Sequence, residues 1–102
     1  MNDLPDWTPR GDYIASRSVR RPGDTDIQIL WANEAYRDPN RIYLNPDPAT
    51  NSGRSARTIG YSQSAGFIVV VITVVDAGIL WGVNAWRANE SAIRAYTERD
   101  QI

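Results

Sequence analysis

The stretch GFIVVVITVVDAGILWG, Gly66 to Gly82, constrains this chain more than any other. It is among the most apolar runs in the sequence, and an aspartate sits near its centre. IVVVITVV is almost entirely β-branched, which in water favours a strand. A strand buried on both faces has this appearance over roughly four to eight residues. Two features speak against a strand. The apolar character continues through Ala77, Gly78, Ile79, Leu80, Trp81, Gly82 and Val83 to Trp86. And no second strongly apolar segment exists for such a strand to pack against in an otherwise polar chain of 102 residues.

A membrane helix accounts for both features. Ala65 to Trp86 is 22 residues, about 33 Å at a rise of about 1.5 Å, against a hydrocarbon thickness of about 30 Å. Tyr61 lies at one end and Trp81 and Trp86 at the other, as in an aromatic belt. Arg57 and Arg87 flank the segment. In lipid a helix satisfies its own backbone, so β-branching no longer decides. With 64 residues before it and no short basic start, the segment does not read as a cleavable signal. The expected fold is therefore mainly α: a single transmembrane helix, a long and partly extended N-terminal tail with one short amphipathic helix, and a short helical C-terminal tail. The expected boundaries are an extended or disordered tail over 1–23, an amphipathic helix over 24–38, loop and linker over 39–64, the span over 65–86 and a polar helical tail over 87–102.

The helix over 24–38 rests on Asp24 or Thr25 as a cap, with Thr25 and Gln28 at capping-box spacing. Ile27, Leu30 and Trp31 share a face, and Pro39 ends the element. Trp7, Tyr13, Trp31, Tyr36 and Tyr43 are spaced along the tail as contacts for a partner, the alternative being a floppy tail.

Within the span, Asp76 falls near the bilayer midplane. A central Asp costs about 2.5–3.5 kcal/mol on insertion scales, and each Leu, Ile, Phe or Val returns about 0.3–0.6. Eleven residues of those types keep insertion favourable by a small margin. Three readings of Asp76 compete: a polar contact to a neighbouring subunit, a neutral acid without a role, or part of a proton path. Gly78, Gly82 and Ala85 form a small-residue row on the opposite face, suited to close helix packing.

Composition removes most catalytic classes. The chain has no Cys and no His, and its one Met is Met1. Disulfides, thiol nucleophiles, Cys/His zinc sites, the usual haem ligands and Ser-His-Asp machinery are excluded. Acidic residues are scattered without a fixed pair, and no phosphate-loop or dinucleotide motif occurs. The expectation is a protein that is not an enzyme and binds no cofactor through His, Cys or Met. The basic residues are eleven Arg and no Lys, balanced to a net charge of −1. That balance argues against nucleic acid as the main partner, because phosphate binding needs a concentrated positive face. Expected partners are other membrane subunits and the bilayer.

The central span, the long polar N-terminal tail, the row Gly78-Gly82-Ala85 and the Arg-rich, Lys-free composition together resemble the W- and PufX-type polypeptides of purple-bacterial reaction-centre–light-harvesting 1 complexes. The resemblance implies a non-catalytic, single-span accessory subunit that occupies a place in the photosynthetic antenna ring and leaves a gap for quinone exchange. Pigments, quinones or lipids would then touch it within the complex. Its place would be the bacterial inner or intracytoplasmic membrane, N-terminus in the cytoplasm. Accessory subunits of respiratory complexes share the layout, and a stand-alone membrane regulator or homo-oligomer is the remaining alternative.

Overall fold

The apolar run folds back on itself. In the computed structural model, which describes residues 4–98, it forms two antiparallel strands, β3 (Phe67–Asp76) and β4 (Ile79–Arg87). Before them come three short helices, α1 (Gly11–Ala15), α2 (Arg17–Arg20) and α3 (Ile29–Tyr36), then strands β1 (Ile42–Leu44) and β2 (Ser55–Ser62). A last helix, α4 (Glu90–Glu98), follows β4. The class is α+β, with one four-stranded antiparallel sheet in the order β1-β2-β3-β4.

The expected mainly α, single-span fold is therefore corrected. Among the described residues no helix is long and apolar enough to cross a membrane. The partner that a two-sided apolar strand needs is the second half of the same run. Val70 pairs with Trp86, Val71 with Ala85 and Val74 with Trp81. Single-pass placement in a bacterial inner or intracytoplasmic membrane loses its span, and with it go the antenna and quinone-exchange assignments. The resemblance to the W- and PufX-type polypeptides rested in part on that layout, and the single central span it used is absent among the described residues.

The β3–β4 turn explains why the run bends where it does. Asp76 pairs with Ile79 across a two-residue loop, Ala77 and Gly78. Both have positive φ, 53° and 78°. This is the geometry that suits the right-handed twist of a two-residue hairpin. An irregularity in the pairing between Ile72 and Thr73 makes Val83 an extra residue in β4. It places Gly82 and Ala85 on the same side of the sheet.

That side is covered by the N-terminal third of the chain. Trp7, Ile14, Ile27, Ala32 and Ala35 bury themselves against Val69, Val71 and Ala85, with Tyr13, Trp31, Tyr36 and Phe67 at the margin. α3 lies very close to the strands because both surfaces are small. A Cβ on Gly60 would sit 2.0 Å from the carbonyl oxygen of Ala35. A Cβ on Gly82 would sit 2.4 Å from the ring of Trp7. Residues 1–23, expected to be extended or disordered, thus include α1, α2 and the buried Trp7 within their described part. The helix expected over 24–38 occupies Ile29–Tyr36. Its N-cap is Gln28 without a side-chain cap bond, and Ile27 precedes it, its N–H donating to Ile14 O at 2.9 Å. Leu30 points outward and is exposed.

The second side carries Ile59, Val70, Ile72 and Ala88, covered by Ala92 and Tyr96 of α4. α4 itself buries no residue completely. The tail expected over 87–102 begins here as the end of β4, and its last residues, 99–102, lie outside the described part. The loop expected over 39–64 contains β1 and β2.

The β4 edge of the sheet is partly occupied. Asp6 N–H donates to Leu80 O at 2.9 Å, and Gly82 N–H to Asp6 O at 2.9 Å, so the N-terminal strand segment closes β4. Arg17 Nη1 caps the Ala85 carbonyl at 3.3 Å. On the far side β1 is three residues long, and Asp47 N–H takes up the Ser55 carbonyl at 2.8 Å. Short edges and side-chain caps of this kind disfavour strand addition.

Candidate functional site

Arginines converge where α2 meets the end of β4. Two adjoining clefts of about 250 and 310 Å³ share Arg17, Arg21 and Asp24 as lining. Tyr13 and Arg20 complete the first, and Gly23, Thr25, Trp86, Arg87 and Ala88 complete the second. The groove therefore holds Arg17, Arg20, Arg21 and Arg87 against a single acid.

Local chain geometry builds it. α2 supplies Arg17 and Arg20, and Arg21 follows as its C-cap. The chain then reverses: Asp24 N–H donates to Arg21 O at 3.0 Å, with Gly23 at φ 97°. The reversal returns Asp24 to Arg17, at 3.1 Å. Arg17 is also held by Asn84 Oδ1 at 3.1 Å and lies 5.9 Å from the Trp86 ring. It is thus fixed in place. Asp26 is consumed as well, accepting from Ser18 N–H at 2.7 Å and Ser18 Oγ at 3.0 Å. Arg20 stacks on Tyr13 at 3.9 Å and donates to Tyr13 O and Ser16 Oγ. Arg10 adds a second guanidinium on the Tyr13 ring at 4.7 Å.

Arg21 and Arg87 differ from these. Both are exposed. Arg87 lies over the Phe67 ring at 4.5 Å. Neither side chain ion-pairs with an acid among the described residues. The arrangement gathers guanidinium groups, two of them held in place and two exposed, a donor set suited to an oxyanion.

A second cleft, about 380 Å³, lies beside α3 and includes Glu34, Arg37, Asp38 and Tyr61. Its acids are structural. Glu34 accepts from Ser62 Oγ at 2.8 Å, Ser64 N–H at 2.9 Å and Ser64 Oγ at 2.7 Å. The Ser64 hydroxyl, then its amide, hold the Glu34 carboxyl below its ordinary value. Asp38 accepts from Asn40 N–H, Tyr61 N–H and the Tyr96 hydroxyl. These bonds tie α3, β2 and α4 together. No group of three or more His, Cys, Asp or Glu able to hold a metal occurs among the described residues.

The residues singled out in the sequence are scattered. Asp76, expected at a bilayer midplane, ends β3 on the surface, its carboxylate 3.6 Å from Arg54 and both side chains 65 % exposed. Gly78 is in the hairpin turn, and a Cβ there would meet open space. Gly82 and Ala85 pack under the N-terminal segment rather than against a second helix. Trp7 is buried over Gly82 and donates from Nε1 to Asn33 Oδ1 at 3.0 Å. Trp31 meets Phe67 edge-on at 5.6 Å. Tyr13 borders the arginine groove, Tyr36 flanks the main core, and Tyr43 is exposed on β1. The arginine groove is absent from that set. The signal for it was SRSVRRPGD, a basic cluster leading into a turn, together with WR at the end of the apolar run. Comparison with protein families, with curated proteins and with solved structures returns no match.

Proposed function

We propose that this chain is a non-catalytic binding protein whose arginine groove holds a phosphate-bearing polyanion, a nucleic-acid strand. One observation carries the proposal: Arg17, Arg20, Arg21 and Arg87 line two adjoining clefts whose one acid among the described residues is Asp24, and Asp24 is already spent on Arg17. Net charge weighed against nucleic acid in the sequence. The quantity that governs phosphate binding is local, however, and folding concentrates the positive charge at this corner. Arg17 and Arg20 act as positioned walls, while Arg21 and Arg87 present the open donors. Tyr13 and Trp86 give the groove apolar flanks. Binding without turnover is the role proposed, since among the described residues no group of three or more metal-ligating side chains occurs and the one acid of the groove is paired with Arg17.

Fluorescence anisotropy with a labelled single-stranded oligonucleotide, run as a salt series, tests this. Log affinity should fall linearly with log salt. Arg21→Ala with Arg87→Ala should weaken binding at least about tenfold and lower the slope by about one per arginine. The double variant should keep the wild-type circular dichroism spectrum. Binding that the double variant leaves unchanged, or no binding at low salt, would contradict the proposal. Equal affinity for polyglutamate would redirect it to an acidic protein segment.

A further inference from the structure

Among the described residues, Asp24 is the one acid of the arginine clefts, and it lines both of them. Its Oδ2 accepts from Arg17 Nη2 at 3.1 Å. Arg17 Nη1 is given to the sheet instead, to Asn84 Oδ1 at 3.1 Å and the Ala85 carbonyl at 3.3 Å. The two ends of this guanidinium therefore differ. One is bonded to β4, and the other to a residue of the turn that follows α2, where Gly23 stands at φ 97°. The ion pair is largely withdrawn from water, with 17 % of the Arg17 side chain and 26 % of the Asp24 side chain exposed. Parting it with nothing in exchange is unfavourable, because a partly buried charge is left unpaired. An anion that reaches Arg17 has to replace the carboxylate.

We propose, resting on the reading of these clefts as a nucleic-acid site, that Asp24 makes them selective for an oligonucleotide end that carries a terminal phosphate. A phosphate inside a strand is a diester with one negative charge. At Arg17 it exchanges like for like with the carboxylate and gains nothing. A terminal phosphomonoester carries about −1.5 to −2 near neutral pH and three strong acceptor oxygens. It replaces the carboxylate on Arg17 Nη2 and keeps charge and oxygens for Arg21, which lines both clefts. The diesters that follow in the strand then fall to Arg87. Asp24 is thus a threshold that a monoester passes and a diester does not. The size of the clefts agrees with this role. At about 250 and 310 Å³ they are at the small end of ligand pockets, the scale of a strand's end rather than of a track of many nucleotides.

Fluorescence anisotropy on the full chain with matched, internally labelled single-stranded oligonucleotides decides it. One carries a 5′-phosphate, one a 3′-phosphate and one hydroxyls at both ends. A further hydroxyl-ended strand is two nucleotides longer, so that it carries at least the total charge of the phosphorylated ones. A phosphorylated end should bind at least about tenfold tighter than either hydroxyl-ended strand, as for one added charge-assisted hydrogen bond. Which of the two phosphorylated strands wins gives the polarity. Asp24→Asn should erase the preference by tightening the hydroxyl-ended strands, because diesters then reach Arg17 unopposed. Salt-dependent binding that ignores the terminal phosphate, or that the longer hydroxyl-ended strand reproduces, overturns the inference and leaves the nucleic-acid reading standing. So does a folded Asp24→Asn variant that keeps the full preference. Absence of binding to every strand at low salt defeats that reading and the inference with it. The wild-type comparison is decisive without the variant, so a misfolded Asp24→Asn chain does not remove the test.

Discussion

The two sides of the sheet are built on different terms. Under α3 the cover is dense and apolar: Trp7, Ile14, Ile27, Ala32 and Ala35 close over Val69, Val71 and Ala85, and backbone meets backbone at Gly60. Under α4 the cover is thin. α4 buries no residue completely; Ala92 and Tyr96 pack on the sheet, and the Tyr96 hydroxyl donates to Asp38 near α3. Arg57 fills part of the gap, its guanidinium 5.4 Å from the Trp86 ring and its Nε on Asp47 at 2.9 Å. The first side carries stability. The second leaves more of its surface exposed.

The sharpest break of this contrast is Gly60→Ala. Its new methyl meets the Ala35 carbonyl rather than a movable side chain, so α3 must lift from β2. A loss above about 3 kcal/mol, or failure to fold, is expected in denaturant titration. Next is Tyr96→Phe, which leaves Asp38 without one of its donors. A loss of about 1–3 kcal/mol is expected, as for a hydrogen bond to a charged acceptor. Hydrogen exchange should rise in α4 while the amides of β3 stay protected.

A third change should run the other way. Thr58 is fully buried, and its Oγ1 has no hydrogen-bond partner among the described residues. Thr58→Val keeps the β-branched shape, removes the stranded hydroxyl, and should raise stability by about 1 kcal/mol in the same titration. The smallest effect concerns pH. The Glu34 carboxyl lies below its ordinary value of 4.5 in the folded chain. It therefore contributes stability above that value, which is lost as pH falls through the lowered folded value. Ser64→Ala removes the largest cause of the shift. The Glu34 titration followed by NMR should move up toward 4.5, and acid unfolding should begin at higher pH.

Part of this fold was legible in the sequence, and the rest was hidden for identifiable reasons. IVVVITVV carries the strand signal of β-branched residues buried on both faces, and β3 answers to it. What hid the hairpin was its turn. Two-residue turns with positive φ usually announce themselves as Asn-Gly or Asp-Gly. Here the first position is Ala77, which accepts φ 53° at a cost of about 1–2 kcal/mol. Ala77-Gly78 therefore reads as a continuation of the apolar run on either side of Asp76, and the length of the whole mimics a span. The cover for the sheet was hidden as well. It comes from single residues such as Trp7 and Ile14, between prolines and arginines, and no periodic pattern marks them. The groove escaped because Arg17 and Arg87 are seventy residues apart in sequence and meet only through the packing of α2 on the edge of β4.

The central claim is that residues 66–86 are a hairpin within a sheet and not a membrane helix. A nuclear Overhauser spectrum of the isotope-labelled chain in detergent-free buffer tests it most directly. The account predicts cross-strand contacts between Val70 and Trp86, Val71 and Ala85, and Val74 and Trp81, following the strand register. Unbroken helical contacts between residues three apart from Ala65 to Trp86, with none between the two halves of the run, would contradict it.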